Sequence, residues 1–145
     1  MWGIILALIS GALMSIQGVF NTEVTKQTRL WVSTGFVQLT AFFVCVIAWL
    51  CTGRENVAFL TEVRPWYLLT GGILGAFITI TVVQSMGSLG PAQAVIIIVT
   101  SQVAVAYLIE LFGLFGSSQA SFSWRKILGL LIAIAGIVLF RWEKA

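Results

Sequence analysis

Residues 91–112 read PAQAVIIIVTSQVAVAYLIELF, and this stretch carries a single charge, Glu110, near its far end. A hydrocarbon core of about 30 Å takes roughly 20 helical residues to cross. The stretch therefore predicts a membrane span, with Pro91 opening it where a missing N–H costs nothing. Working outward, apolar runs of the same kind cover Trp2–Phe20, Leu30–Cys51, Tyr67–Gly87 and Ile127–Phe140. The last is short, but Trp124 and Trp142 mark its ends and widen it to residues 125–141. The expected architecture is all-α: a polytopic membrane protein whose residues 1–145 make one transmembrane domain of five helices. Its spans are expected at 2–20, 30–51, 67–87, 91–112 and 125–141.

Composition points the same way. The chain is 59% hydrophobic and 9% charged, against roughly 25% charged in soluble domains. Eight basic and five acidic residues are too few to solvate five such helices. The basic residues are scattered rather than gathered into a patch, which argues against nucleic acid as a partner. There is no histidine, and Cys45 and Cys51 belong to one apolar run, so no metal site, cofactor or disulfide framework is expected. No Ser/His/Asp, Cys/His or paired-carboxylate set suggests an enzyme. The first run lacks preceding basic residues and a small-x-small cleavage site, and is expected to remain as a span. Tryptophan placement supports the boundaries. Trp2, Trp31, Trp49, Trp66, Trp124 and Trp142 all fall at or near run ends, where an indole ring is buried while its N–H stays wet.

The basic residues also bear on orientation. An odd number of spans puts the termini on opposite sides. One side then receives Arg54, Arg64, Arg125 and Lys126; the other receives Lys26, Arg29, Arg141 and Lys144. Orientation follows the Lys/Arg excess of the cytoplasmic loops, and an even split supplies none. The expectation is insertion both ways up and pairing with an inverted copy.

Small residues recur at helical spacing: Gly3, Ala7, Gly11 and Ser15 in the first run, Gly71 and Gly75 in the third, Gly129, Ala133 and Gly136 in the fifth. Such positions let helix backbones approach closely. They serve packing within one bundle or a dimer seam, with Gly11, Gly71, Gly75, Gly129 and Gly136 as candidates. The Ser88-Leu89-Gly90 connection is so short that the third and fourth spans are expected to form an antiparallel hairpin.

Polar groups inside spans cost free energy unless partnered. At 100° per residue, Ser10, Met14, Gln17 and Asn21 share one narrow stripe of the first span. Gln102, Ala106 and Glu110 share a face of the fourth, and Gln38 and Gln84 add amides to the second and third. These amides either hold helices together or line a pathway. Ser10, Met14, Gln17, Asn21, Gln102 and Glu110 are the pathway candidates. Glu110 lies about 12 Å beyond Gln102 along the axis, close to a membrane edge. It is either a headgroup-seeking carboxylate or one that binds a cation or proton during transport.

Several stretches together carry a resemblance. Gly11, Gln17 and Asn21 precede the polar Thr-Lys-Gln-Thr-Arg turn. Arg-Pro-Trp-Tyr-Leu-Leu-Thr-Gly-Gly-Ile-Leu-Gly-Ala-Phe starts at Arg64. Leu89-Gly90-Pro91, Ser101-Gln102, the Glu110–Gly116 stretch and Gly129-Leu-Leu-Ile-Ala-Ile-Ala-Gly136 follow in order. The set resembles the YdcZ-like five-helix family of the drug/metabolite transporter superfamily over nearly the whole chain. The resemblance implies a bacterial inner-membrane exporter, occurring as single short genes, as oppositely oriented pairs or as fused ten-helix proteins. Two departures stand out, since the family pattern leads one to expect Gly and Asp where this chain has Ser101 and Glu110.

A five-span unit is then expected to be one half of an inverted-repeat transporter. Such proteins bind substrate between two inverted repeats near the midplane and alternate their conformations. The partner is expected to be a second copy, antiparallel, or an oppositely oriented paralogue, and the cargo a small molecule. A dual-topology ion channel and a non-transporting scaffold are the alternatives. Small multidrug resistance proteins differ in having four helices and a carboxylate in the first, where this chain has none.

Overall fold

The computed structural model describes residues 1–142, with side chains through Phe140. The boundary role expected of Trp142 and the charges of Arg141 and Lys144 lie outside the described side chains. Among the described residues there are five α-helices and no strand: α1 (Trp2–Gln27), α2 (Leu30–Thr52), α3 (Gly71–Leu89), α4 (Pro91–Phe112) and α5 (Trp124–Trp142). Four helical segments, with Trp66–Leu89 taken as one, are long and apolar enough to cross a membrane. α5 is a fifth helix of 19 residues. Large apolar side chains stand exposed along these helices, among them Phe36, Phe42, Ile73, Val103 and Leu131. Water cannot be the solvent for such a surface; lipid can. The chain is an all-α polytopic membrane protein.

Helix ends follow local chemistry. α4 matches its expected limits, with Gly90 at φ 83° before Pro91 and Gly113 in the left-handed conformation after Phe112. α1 runs to Gln27, well past the expected end at Phe20. Its added turns satisfy their own hydroxyls: Thr22 Oγ1 donates to the Gly18 carbonyl and Thr25 Oγ1 to that of Asn21, each at 2.8 Å. Lys26 and Glu23 form an i,i+3 ion pair. The helix is about 39 Å long, so its last turns reach beyond a 30 Å core. The polar turn shrinks accordingly to Thr28 and Arg29. At the third span, regular α-helix begins at Gly71 rather than Tyr67. Residues Trp66–Thr70 form a tighter 3₁₀ turn, as helix N-termini often do where no side chain caps the first N–H groups.

The chain divides into two compact units, residues 1–87 and residues from 88 onward. In the first, the buried residues gather where the last turns of α1 meet the start of α2: Asn21, Thr22, Ser33 and Thr34. Ser33 Oγ donates to the Asn21 carbonyl at 3.3 Å, tying the two helices across their short turn. Ile80, Val83 and Met86 of α3 are also buried, and α3 meets α1 at Gly18. Small side chains here do what they do in other membrane bundles, allowing backbones to come close. In the second unit α4 packs on α5.

Candidate functional site

The second unit is organised by how α4 ends. The last carbonyls of a helix have no partner within it, and at a membrane edge each unpaired one is costly. The residues after Gly113 fold back to satisfy them. Ser117 Oγ donates to the Ile109 carbonyl at 3.2 Å, Ala120 N–H to that of Glu110 at 2.9 Å, and Gln119 Nε2 to that of Leu111 at 3.2 Å. The chain can turn this sharply because Gly113 sits at φ 60°, with Gln119 close to where a Cβ would stand. Ser123 N–H then donates to Tyr107 Oη at 2.9 Å, which ties the start of α5 beside the last turns of α4.

That arrangement brings Lys126, in the first turn of α5, to Glu110, in the last turn of α4. Lys126 Nζ lies 2.8 Å from Glu110 Oε2, and both side chains are about half exposed. Each charge is misplaced with respect to its own helix. Acids are disfavoured at a helix C-terminus and bases at an N-terminus. Paired, the two charges offset one another's misplacement. Lys126 Nζ also stands 5.1 Å from the centre of the Tyr107 ring, within cation–π range.

From this pair a groove of about 450 Å³ runs between α4 and α5. Val99, Thr100, Val103, Ala106, Tyr107 and Glu110 line it from α4; Lys126, Gly129, Leu130 and Ala133 line it from α5. Its walls are almost wholly apolar and its charges lie together at one end. Where a Cβ on Gly129 would stand, no atom beyond its own stretch of helix lies within 4 Å.

The sequence of this chain matches, over residues 2–139, the model of the family described as "putative inner membrane exporter, YdcZ". The chain belongs to the YdcZ family. No curated protein and no solved structure matches it. As a YdcZ-family member with four apolar helices of membrane length, it is a multi-pass inner-membrane transporter.

In this YdcZ-family chain, the expected pathway residues belong to both compact units. Glu110 lines the groove, while Gln102 is exposed on α4 outside the lining. Ser10, Met14 and Gln17 are exposed along α1, whereas Asn21, on the same stripe, is buried at the junction with α2. Among the small residues, Gly129 lines the groove, and a Cβ on Gly75 would stand 3.4 Å from Gln38 Nε2. Gly11, Gly71 and Gly136 have no atom within 4 Å of where a Cβ would stand. Sequence reasoning missed three residues. From the sequence alone, Lys126, Tyr107 and Gly18 receive no site role. Lys126 and Tyr107 had a signal, since both sit within one or two turns of the helix ends that flank Glu110.

Proposed function

We propose that this chain exports a small amphipathic molecule by alternating access, as an antiparallel pair of copies. The observation that carries the reading is the groove between α4 and α5, an apolar cleft ending in a half-exposed ion pair. A molecule with an apolar body and a polar end matches both parts. Ligand sites are usually of this kind, largely apolar with a few placed polar groups, and occupy roughly 300–1,000 Å³.

The antiparallel pair is supported by the even split of basic residues and by the need for two inverted repeats in such transporters. One five-helix unit supplies one repeat, and a copy inserted the other way up supplies the second. Gln17, Gln102 and Glu110 would face the shared pathway.

The test is exchange in proteoliposomes. The purified protein is reconstituted, and amphipathic dyes of positive, negative and zero net charge are loaded inside. Efflux of at least one dye should saturate, and unlabelled dye outside should accelerate it, because a carrier returns faster loaded than empty. Unitary currents in a planar bilayer would make the protein a channel. Absence of any protein-dependent flux would leave a scaffold.

A further inference from the structure

We propose that the α4–α5 groove selects amphipathic molecules bearing a cationic group, and that Lys126 holds the substrate's place on Glu110 until one binds. This assigns a substrate class to the transport reading above and rests on it.

The pair is short, at 2.8 Å, but its side chains are 48% and 50% exposed. Ion pairs that open to solvent contribute little, so their separation costs little. The sign of the preferred ligand follows from what each partner keeps after separation. Lys126 keeps the face of Tyr107, 5.1 Å from its ammonium nitrogen, and its long stem lets the charge reach headgroups and water. Glu110 keeps nothing equivalent: among the described residues its carboxylate has no partner besides Lys126. An arriving cation therefore takes the carboxylate while Lys126 keeps the Tyr107 ring face and turns its charge to water and headgroups. An arriving anion would take Lys126 and leave the Glu110 carboxylate to water alone, without the ring contact that Lys126 keeps in the opposite case.

The rest of the groove accounts for the amphipathic requirement. Val99, Val103 and Leu130 present apolar walls, and Gly129 leaves open space that an apolar body can fill. A bare cation would gain only the carboxylate, which water solvates equally well.

Tetraphenylphosphonium and tetraphenylborate, nearly isosteric ions of opposite charge, separate these terms. Their binding to the full-length protein in nanodiscs is measured by equilibrium dialysis and corrected for partition into protein-free nanodiscs of the same lipid. Tetraphenylphosphonium should bind and tetraphenylborate should fail to displace it. Glu110→Gln should weaken cation binding by roughly two- to fivefold, and tetramethylammonium should not compete. Gly129→Leu should abolish binding with the charges untouched. Lys126→Gln should tighten cation binding by removing the competitor. Tyr107→Leu should weaken it more than Tyr107→Phe, which keeps the ring and loses only the acceptor for the Ser123 N–H. In a Lys126→Gln background, Tyr107→Leu should lose its effect, which a merely structural role for Tyr107 would not produce. Equal binding of both ions to the unmodified protein overturns the proposal, as does corrected binding of zero, which would leave the groove to lipid chains. Neither result touches dye exchange in proteoliposomes, so the transport reading stands or falls separately.

Discussion

A Cβ placed on Gly18 of α1 would stand 2.5 Å from Cε and 2.8 Å from Sδ of Met86 on α3, so the two helices meet at a position where only hydrogen fits without movement. The obstructing atoms belong to the flexible end of a methionine, which can rotate aside. Gly18→Ala also gains about 0.8–1.0 kcal/mol in helix propensity. The two effects nearly cancel, and Gly18→Ala should melt within a few degrees of the unmodified protein in detergent. Gly18→Leu overfills the same contact and should cost about 1–3 kcal/mol. Truncation at Met86 should restore much of that loss, so Gly18→Leu with Met86→Ala should melt above Gly18→Leu alone. An unchanged melting temperature for Gly18→Leu would mean that α1 and α3 do not hold one another here.

The Glu110–Lys126 pair makes a prediction of opposite sign for stability and function. Exchanging the charges, Glu110→Lys with Lys126→Glu, keeps an ion pair but puts the base at the C-terminus of α4 and the acid at the N-terminus of α5. Both then agree with their helix dipoles. The exchanged protein should be as stable as the original or more so. Its dye exchange should be impaired, because the carboxylate has moved to the other helix. Retained exchange at the normal rate would make the pair a structural clasp with no part in the pathway.

Most of the fold was legible because membrane spans are written in long, one-dimensional runs. α4 could be placed to the residue because Pro91 and Gly113 bracket it. α1 was cut short because Asn21, Thr22, Thr25 and Lys26 look like a loop by hydropathy. Their hydroxyls and charges instead turn back onto their own helix. The site was less legible. Glu110 stood out as the one charged residue within the five apolar runs, but its partner is 16 residues away on another helix. Which side chain meets it depends on how the chain folds back from Gly113 onto the last carbonyls of α4, and no hydropathy pattern records that. Asn21 shows the same limit: periodicity placed it on a stripe with Gln17, while the tight turn into α2 buried one and left the other exposed.

Insertion both ways up has a direct reading in labelling. Single cysteines at Lys26 and Ser118, both exposed, in a background with Cys45 and Cys51 replaced, should each react partially with an impermeant thiol reagent in intact cells. A cysteine at Ser118 leaves in place the neighbouring Gln119, whose amide donates to the Leu111 carbonyl. Adding two or three lysines to one side should drive labelling toward all-or-none. Transport should then fall, and should return when oppositely biased variants are co-expressed. Full labelling at one site and none at the other in the unbiased protein would establish a single orientation and exclude self-pairing by inversion.

The antiparallel pair can also be tested by depth. By span order, α1 carries Gln17 away from the side of the N-terminus, whereas α4, three crossings later, carries Glu110 toward it. In an inverted partner the directions reverse, which puts Gln17 of one copy at the depth of Glu110 of the other. Gln17 is the better probe of the stripe, since it is exposed and Asn21 is buried within its own chain. Glu110→Cys removes one half-exposed ion pair, a loss of about 0–1 kcal/mol, and should leave the protein folded. Co-expressed Gln17→Cys and Glu110→Cys proteins, free of Cys45 and Cys51, should cross-link through a short bifunctional maleimide. A reagent with some reach is the fairer probe, because a direct disulfide needs Cα atoms within about 7 Å. The yield should drop when both variants carry lysines that bias them to the same orientation, and rise when they are biased oppositely. Cross-linking confined to copies inserted the same way would exclude the inverted pair and a pathway shared between Gln17 and Glu110 of different chains.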